Sequence, residues 1–359
     1  MPDELSIMKK ALELAKKGEG NVSPNPMVGA VIVKGNRIVS EGFHRRFGAP
    51  HAEIDAIEKA KEPLAGSTLY VNLEPCYHWG KTPPCVDRII SERFRKVVIA
   101  TSDPNPQVKG KSIRKLKSKG IEVKVGLLKE EAAKLNEVFF KNMLKKHPFV
   151  AVKIAQSLDG KITTKKGESK WITSLQTRNY AKKLRDKYDA VLVGVNTVIK
   201  DNPTLNGTKK IPYKIVIDTN LKIPIHCRLI KKHKDKLIIF SLNPAKGKLN
   251  ALRKEGIKIF TFYNKKTLPL KKVLDILYRI NITSIFVEGG SFTIGSFFDA
   301  KIVDKIYFFI APKIIGGEKS LTSVGAKGIT SLNKPILINR ISIVKVGSDF
   351  LFTGYPVFR

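Results

Sequence analysis

The sequence predicts an α/β protein with two domains. Its 359 residues are more than a single compact core usually contains. Short apolar runs, typical of buried strands, alternate with segments of helical periodicity along the whole chain, which favours a layered α/β architecture. A basic stretch at 145–148 interrupts this alternation and ends in Pro148. We therefore predict one domain over residues 1–147 and a second over residues 148–359.

The individual elements follow in order from apolar periodicity and turn residues. In the first domain they are helices at 5–17, 51–61, 84–91, 110–119 and 130–143, and strands at 28–33, 37–41, 68–73, 97–100 and 121–125. In the second they are strands at 149–155, 191–195, 214–217, 237–240, 257–260, 284–287, 305–310 and 341–346, and helices at 175–187, 271–280 and 292–298. The alternation of strands and helices therefore continues in both halves.

The net charge of +35 is the unusual feature of the composition. A basic surface attracts nucleic-acid backbones without sequence preference, so an RNA partner is one explanation. However, lysine far outnumbers arginine, the basic residues occur along the whole chain, and no RNA-binding tract accompanies them. A genome-wide bias towards lysine codons produces the same composition, and we favour it. We therefore expect no nucleic-acid partner, while anionic small substrates fit either explanation.

Composition and cysteine use indicate a reducing compartment. No apolar run is long enough to span a membrane, and the first residues lack the basic and apolar regions of a signal peptide. Of the three cysteines, two belong to the motif described next, and Cys227 is interpreted as a buried thiol. We therefore expect a cytoplasmic location and no membrane partner.

His51-Ala52-Glu53 is the strongest chemical motif, and Pro75-Cys76 and Pro84-Cys85 follow it. One imidazole and two thiolates suit tetrahedral Zn²⁺, and three protein ligands leave the fourth position open for water. A carboxylate two residues after the histidine is placed to move protons for that water, as in zinc nucleobase deaminases. The sequence therefore predicts a zinc-dependent deaminase, with His51, Cys76 and Cys85 as ligands and Glu53 as the catalytic acid–base.

Two alternatives use the same ligands without catalysis. A structural zinc site takes four protein ligands, and His78 is close enough in sequence to be the fourth. The other alternative is a catalytically silent binding protein that keeps zinc for stability. Glu53 favours the deaminase over both, because a structural site has no need for this carboxylate.

Longer motifs in the first half resemble one deaminase family. They are Asn25-Pro26-Met27-Val28-Gly29-Ala30, His44, His51-Ala52-Glu53 and the segment from Glu74 to Cys85. This set is similar to the bifunctional deaminase–reductase family of riboflavin biosynthesis, known as RibD or RibG. Eight residues separate the two cysteines, as in that family, whereas deaminases of tRNA, cytidine or guanine typically have two residues there.

The resemblance implies a fold and a substrate for the first domain. The fold is a cytidine-deaminase-like α/β/α sandwich. The substrate is 2,5-diamino-6-(5-phosphoribosylamino)pyrimidin-4-one, which loses its 2-amino group as ammonia. Asn25, His44 and Lys81 match family positions that hold this substrate. The resemblance therefore adds three substrate-binding residues to the metal ligands and Glu53.

Glu288-Gly289-Gly290-Ser291 is the main motif of the second half and follows an apolar strand. Glycines between a strand and a helix let backbone N–H groups approach a phosphate, although a glycine pair is also a common tight turn. The segment lacks the G-x-G-x-x-G pattern, so a Rossmann dinucleotide site is not expected. On its own, the motif leaves a tight turn and a cofactor site open.

Further segments resemble the reductase half of the same family. They are Lys153 to Ile162, Ser169 to Thr173, Arg185-x-x-x-Asp189-Ala190, Gly194 to Thr197, Asp201 to Leu205 and Glu288-Gly289-Gly290. The resemblance implies a dihydrofolate-reductase-like α/β domain that uses NADPH. It also implies reduction of the ribosyl group of 5-amino-6-(5-phosphoribosylamino)uracil to ribityl.

Two sets of site residues follow from this second resemblance. The set expected to bind NADPH is Ala155, Trp171, Thr197, Asp201, Thr219, Gly290, Ser291, Phe292, Thr293, Ile294, Gly295 and Ser296. The set expected to face the substrate is Lys153, Ser169, Arg185, Leu205, Thr208 and Glu288. Thr208 departs from the family, which usually has an arginine there for the substrate phosphate. The adjacent Lys209 can substitute for that arginine only in part, because a lysine does not make the two-pronged arginine contact.

The resemblance as a whole implies a bifunctional zinc- and NADPH-dependent enzyme of riboflavin biosynthesis. Its expected partners are small phosphorylated pyrimidine substrates, and we expect a homo-oligomer. The alternative is an RNA base deaminase whose basic second domain holds RNA. The charge supports that alternative, and the long spacing between Cys76 and Cys85 opposes it.

Overall fold

The computed structural model describes residues 3–79 and 83–358 and contains α-helices and β-sheets throughout. The chain divides into two compact units, Met1–Lys146 and His147–Arg359. Each unit has its own mixed sheet with helices packed on it, which confirms the predicted α/β class. Within the described residues, no helix is both long and apolar enough to cross a membrane.

The first unit is built on a five-stranded sheet in the order β2-β1-β3-β4-β5. Its strands are β1 (Gly29–Lys34), β2 (Arg37–Phe43), β3 (Thr68–Leu73), β4 (Lys96–Thr101) and β5 (Glu122–Val125). Its helices are α1 (Glu4–Lys16), α2 (Ala52–Lys59), α3 (Cys85–Ser91), α4 (Lys111–Ser118), α5 (Lys129–Leu135) and α6 (Glu137–Lys145). Strands β3, β4 and β5 are parallel, whereas β1 runs antiparallel to β2 and β3.

Successive strand residues of this sheet enter two different cores. Ile32 packs with residues of α2, α3 and α4, whereas its neighbour Val31 packs with residues of α1 and α5. This division follows from the alternation of side chains along a strand. Helices therefore cover both faces, which is the expected α/β/α sandwich. Gly42 brings β2 close to α2, because a Cβ there would lie 2.4 Å from the Ala52 carbonyl oxygen.

Residues 130–143 were predicted as one helix, and the structure contains two. The break falls at Asn136, whose side chain is buried and faces the chain near Met27. The Asn136 amide accepts a hydrogen bond from Met27 N at 2.8 Å and donates one to Met27 O at 2.9 Å. Helical periodicity does not reveal a pairing between residues as distant in sequence as Asn136 and Met27. The prediction of a single helix was therefore wrong.

The second unit has a nine-stranded sheet in the order β10-β9-β8-β7-β11-β6-β12-β14-β13. Its strands are β6 (Phe149–Ser157), β7 (Ala190–Gly194), β8 (Tyr213–Ile217), β9 (Leu237–Ser241), β10 (Lys258–Thr261), β11 (Ser284–Gly289), β12 (Lys305–Ala311), β13 (Leu337–Val346) and β14 (Asp349–Val357). Its helices are α7 (Leu175–Arg185), α8 (Val195–Asp201), α9 (Arg228–His233), α10 (Lys246–Lys254), α11 (Leu270–Arg279) and α12 (Ser291–Asp299).

Seven strands of the second sheet are parallel, and β13 and β14 extend it as an antiparallel hairpin. Apolar residues of the central strands point alternately into two cores, one containing α11 and α12 and the other α9 and α10. The carboxyl ends of β8, β7, β11 and β6 meet at one edge, because these neighbouring strands run in the same direction. Ligands of parallel α/β sheets bind at such an edge.

Lys214 of β8 is fully buried, and its ammonium donates a 2.5 Å hydrogen bond to the Pro212 carbonyl oxygen. Burial, together with the nearby charges of Lys236 and Arg185, lowers the pKa of Lys214 from 10.5 to about 8. The folded state therefore disfavours the charged amine that the unfolded state carries. The resulting loss of folding stability is complete below pH 8. It disappears as the pH rises from the folded-state pKa of about 8 to the unfolded-state pKa of 10.5.

We expect Lys214→Met to raise the free energy of unfolding at pH 7 by about 1 kcal/mol, because an apolar side chain avoids burying the charge. The advantage should shrink between pH 8 and pH 10.5. Urea unfolding at several pH values measures it, with Lys254→Met on exposed helix α10 as the control. A variant less stable than the parent at pH 7 would contradict this prediction.

Candidate metal centre and second site

His51, Cys76 and Cys85 lie together in the first unit, with their candidate ligand atoms all within 4.8 Å of one another. His51 Nδ1 is 3.3 Å from Cys85 Sγ and 3.6 Å from Cys76 Sγ. His51 caps α2, Cys76 follows β3 and Cys85 begins α3, so three separate elements converge. The structure therefore brings together all three predicted metal ligands.

The donor set fits a zinc ion. Bonds of 2.0 to 2.3 Å in a tetrahedral site place ligand atoms roughly 3.3 to 3.8 Å apart, as observed for His51 and the two sulfurs. The hydrogen bond from the Cys85 thiol lowers the pKa of Cys76 to about 4, while Cys76 and burial raise that of Cys85. The bond to Cys76 raises the pKa of His51 to about 9. A divalent cation would satisfy these three donors, of which His51 and Cys76 are half-buried and Cys85 is buried, by displacing their protons.

The described residues contribute three ligands to this cluster, not four. His78 lies in the described part of the chain and is not part of the cluster. A closed structural site needs a fourth protein ligand, whereas a catalytic site keeps that position for water. The arrangement therefore favours a catalytic centre.

Glu53 lies in the first turn of α2, two residues after His51, and only 3% of its surface is exposed. Burial raises the pKa of Glu53 to about 7, against the lowering effect of His51. A carboxylate of this kind both accepts and returns a proton near neutral pH. Glu53 thus lies beside the ligands and outside the ligand set, which leaves its carboxylate available for the predicted acid–base role.

Asn25 and His44, two of the predicted substrate residues, lie beside the metal cluster. The His44 ring contacts the His51 ring edge-on with centroids 5.4 Å apart, and Asn25 Nδ2 lies 3.1 Å from His44 Nε2. His44 Nδ1 lies 3.0 Å from the Pro50 carbonyl oxygen, and burial lowers the pKa of His44. The ring is therefore suited to be neutral, donating from Nδ1 and accepting at Nε2.

Lys81, the third predicted substrate residue, lies outside the described residues. The sequence prediction also missed a buried acidic pair behind Cys76. Glu74 accepts hydrogen bonds from the backbone N–H groups of Asp103 and Gly110, at 3.2 and 3.0 Å. Burial, then Glu74 and Cys76, raise the pKa of Asp103 to about 6. Asp103 follows a strand end, and that position was its only sequence indication.

In the second unit, Lys153, Arg185 and Glu288 form a charged triad whose side chains are 17%, 16% and 7% exposed. Arg185 binds both carboxylate oxygens of Glu288, with Nη2 at 2.9 Å from Oε2, and Lys153 Nζ lies 3.9 Å from the same oxygen. Burial opposes the charge of Glu288, but Arg185 and Lys153 hold its pKa below the usual value. Burial lowers the pKa of Lys153. Three predicted substrate residues therefore share one site.

Part of the predicted NADPH set lies where β7 and β11 end. A Cβ on Gly194 would lie 2.5 Å from Thr293 Oγ1, and one on Gly290 would lie 3.9 Å from Thr197 Oγ1. Gly290 precedes α12 and makes no side-chain cap, so the first N–H groups of this nine-residue helix can bind an anion. This cradle of glycines and hydroxyls fits the phosphates of a dinucleotide.

The remaining predicted NADPH residues are distributed around this sheet edge. Phe292 is 71% exposed, and Ser291 and Ser296 lie on the same helix. Ile294 and Gly295 instead face inward, because Ile294 belongs to the core and a Cβ on Gly295 would overlap the Gly325 carbonyl. Ala155 lies on β6, Asp201 ends α8, Thr219 follows β8 and exposed Trp171 stacks on Arg178.

The predicted substrate residues outside the triad are placed differently. Leu205 is 3% exposed and packs in the core, so its backbone is what remains available to a ligand. Thr208 is exposed, but both its hydroxyl and its N–H donate to Asp186. Ser169 is half-buried in the loop before α7.

Comparison with known families matches both units. Residues 1–101 match the cytidine and deoxycytidylate deaminase zinc-binding region, and residues 148–352 match the RibD C-terminal domain. Fold and ligand set thus define a zinc deaminase fused to a second α/β enzyme unit. The "Riboflavin biosynthesis protein RibD" of Aquifex aeolicus is 42% identical over 350 residues, 96% of each chain. That of Actinobacillus pleuropneumoniae is 40% identical over 353 residues, 97% of this chain and 94% of its own.

Solved structures match over the full length. The Acinetobacter baumannii RibD structure superposes with a TM-score of 0.88 at 31% identity, covering 98% of both chains. A diaminohydroxyphosphoribosylaminopyrimidine deaminase/5-amino-6-(5-phosphoribosylamino)uracil reductase from Thermotoga maritima gives 0.84 at 39% identity, again over 98% of both chains. The chain belongs to the RibD family of riboflavin biosynthesis proteins. The predicted family, fold class and zinc and NADPH dependence are confirmed.

Proposed function

We propose that this chain catalyses two successive steps on one phosphorylated pyrimidine. The first is hydrolytic deamination of 2,5-diamino-6-(5-phosphoribosylamino)pyrimidin-4-one, and the second is NADPH-dependent reduction of the ribosyl group of the product to ribityl. The observation that carries this proposal is the three-ligand cluster with buried Glu53 in a chain that matches RibD relatives over 96% of its residues. A purely structural metal site explains neither the open position nor the acid–base.

In the deamination, His51, Cys76 and Cys85 would hold zinc, which when bound would lower the pKa of water enough to supply a nucleophile near neutral pH. Glu53 accepts one proton from the attacking water and passes it to the ring nitrogen; it then takes the remaining hydroxyl proton of the adduct and delivers it to the leaving amine. Asn25 and His44 are proposed to orient the pyrimidine, with His44 Nδ1 held by Pro50. One water is consumed and one ammonia leaves, so Glu53 ends the cycle in its starting state.

In the reduction, NADPH supplies the hydride when bound. Lys153 and Glu288 are proposed to face the carbon that becomes the ring-opened imine, where they hold a proton beside it. Arg185 fixes Glu288 by binding both carboxylate oxygens. The glycine cradle at Gly290 is proposed to bind the cofactor phosphates. The protein therefore contributes orientation and charge, while the cofactor contributes the redox chemistry.

Three further predictions remain proposals. The deaminase domain is proposed to span residues 1–147 and the reductase domain residues 148–359, in keeping with the family matches to each part. A cytoplasmic location fits an enzyme that uses free thiols as ligands and NADPH as cofactor. A homo-oligomer is the proposed assembly, to be measured by light scattering.

We expect the zinc-loaded protein to release ammonia from the diaminopyrimidinone ribotide without NADPH. Added NADPH should then be oxidised, because the deaminated product is the substrate of the second step. Ammonia assay and absorbance of NADPH measure the two steps in order. Release of ammonia without oxidation of NADPH would contradict the proposed reductase activity and leave the deaminase activity supported. No ammonia from folded, zinc-loaded protein would contradict the deaminase, and RNA substrates would be tested next.

A further inference from the structure

Two adjacent residues at the end of α7 hold the segment Asn206–Lys210, called here loop 206–210. Arg185 Nη1 donates a 2.9 Å hydrogen bond to the Asn206 carbonyl oxygen. Asp186 accepts four hydrogen bonds from the rest of the loop, three from backbone N–H groups and one from the Thr208 hydroxyl. The helix end and the loop therefore form one hydrogen-bonded unit.

The carboxylate of Asp186 occupies a nest of consecutive backbone donors. Thr208 N lies 3.1 Å from Oδ2, while Lys209 N and Lys210 N lie 3.0 and 2.9 Å from Oδ1. Successive N–H groups that converge in this way bind anions. Here the bound anion is the Asp186 carboxylate, which fixes the loop. The three N–H groups donate to Asp186 and are therefore not available to an external anion.

Gly207 shows how closely the carboxylate and the loop approach each other. A Cβ at this position would lie 2.0 Å from Asp186 Oδ1 and 3.0 Å from the Lys210 carbonyl oxygen. Gly207 N also donates to that carbonyl at 3.0 Å, which closes the turn. A side chain on Gly207 is therefore incompatible with Asp186 in its observed place.

The position of Asp186 is unfavourable for the helix itself. It caps the carboxyl end of α7, where the helix dipole disfavours a negative charge. Burial also works against its charge, but the hydrogen bonds from Thr208 and the loop N–H groups hold the pKa of Asp186 below its usual value. The hydrogen bonds to the loop therefore offset the free-energy cost of placing a negative charge at the carboxyl end of the helix.

The loop is connected to the charged triad through Arg185. The guanidinium that binds Asn206 O also binds both oxygens of Glu288, and Glu288 lies beside Lys153. Movement of the loop therefore removes one of the bonds that orient Arg185. We propose that Asp186 is a positioning residue of the reductase site, which fixes loop 206–210 and, through Arg185, the carboxylate of Glu288. This inference rests on the proposed reductase function.

The test compares Asp186→Ala with the parent in the full-length, zinc-loaded enzyme. We expect KM for the deaminated ribotide to rise about 10-fold, because a misplaced substrate-facing loop weakens binding, while kcat changes less than about 3-fold. Ammonia release should be unchanged. Asp299→Ala is the matched control, because Asp299 also binds two backbone N–H groups of a loop, at Lys327 and Gly328. This control should leave KM for the ribotide unchanged.

A second variant pair tests the contact itself. Gly207→Ala should raise KM for the ribotide in the parent, since its Cβ overlaps the Asp186 carboxylate. In the Asp186→Ala background the same substitution should add less than about 2-fold, because the overlap is gone and contacting residues couple. A merely structural role of Asp186 predicts that both substitutions lower the stability of the protein and leave KM for the ribotide unchanged.

The outcomes separate this inference from the proposed function. If the parent does not oxidise NADPH with the deaminated ribotide, the proposed reductase fails. If the parent is active and Asp186→Ala keeps the parental KM, the positioning role is refuted and the reductase stands. If the increases in KM caused by Asp186→Ala and Gly207→Ala combine without suppression in the double variant, the positioning role is also refuted. A raised KM with suppression in the double variant supports it.

Discussion

Glu53→Gln is expected to reduce ammonia release by about 10² to 10⁴-fold, the range that a general acid–base contributes. Glutamine keeps the size of the side chain and cannot carry the proton between water, ring and leaving amine. His51, Cys76 and Cys85 are untouched, so the zinc content should stay at that of the parent. NADPH oxidation with the separately supplied deaminated ribotide should also persist. Metal analysis and both activity assays on one preparation measure these three quantities.

Glu58→Gln is the matched control for this experiment. Glu58 lies on the same helix α2 and is exposed, so its loss should leave ammonia release unchanged. Full deaminase activity of Glu53→Gln would show that the buried carboxylate is not the proton carrier. Loss of zinc from that variant would instead give Glu53 a role in holding the metal, contrary to its place outside the ligand cluster.

Glu288→Gln has the second-largest expected effect and concerns the other half of the chain. The neutral amide cannot balance Lys153 and Arg185, which are both largely buried beside it. Removing one partner of a buried ionic cluster costs about 3 to 5 kcal/mol when the other charges stay unpaired. We expect NADPH oxidation to fall about 10²-fold or more, since the proton-holding pair is lost and Arg185 is no longer fixed.

Ammonia release should survive Glu288→Gln, because the metal cluster belongs to the other unit. Thermal unfolding followed by calorimetry measures the accompanying loss of stability. The control is Glu255→Gln, which removes a carboxylate from an exposed ion pair with Lys234 and should have little effect. Parental NADPH oxidation by a folded Glu288→Gln enzyme would exclude this carboxylate from the reaction.

The metal centre was predictable from sequence because its chemistry depends on residue types at short spacings. His51 and Glu53 share one helical turn, and proline precedes both cysteines at the start of new segments. Strands buried on both faces, such as β3 and β4, were equally predictable, since they appear as continuous apolar runs. These features depend on residues close together in sequence, so periodicity and motif spacing are enough to predict them.

Features that depend on distant partners were not predictable in the same way. Strand β14 and the first four residues of β13 (337–340) escaped prediction; β13 is largely exposed and its burial shows no regular alternation. Helices α8 and α9 have seven and six residues, too few for a period to emerge. The bonds from Asp186 to loop 206–210 join residues more than twenty positions apart. Neither the sequence around Asp186 nor that of loop 206–210 indicates that the two segments are in contact.

The hydrogen bonds of Asn136 have a consequence for how much chain a working metal centre requires. Residues 1–101 contain every ligand and the acid–base, yet the backbone of Met27, two residues from Asn25, is held by Asn136 far outside that range. Asn72 Nδ2 also donates a hydrogen bond to the Met27 carbonyl oxygen, at 3.0 Å. A minimal catalytic module cut at the end of the zinc-binding motif would keep the metal ligands and lose part of the support for its substrate pocket. A fragment of this chain that keeps the support at Met27 therefore has to extend beyond the zinc-binding region, at least as far as Asn136.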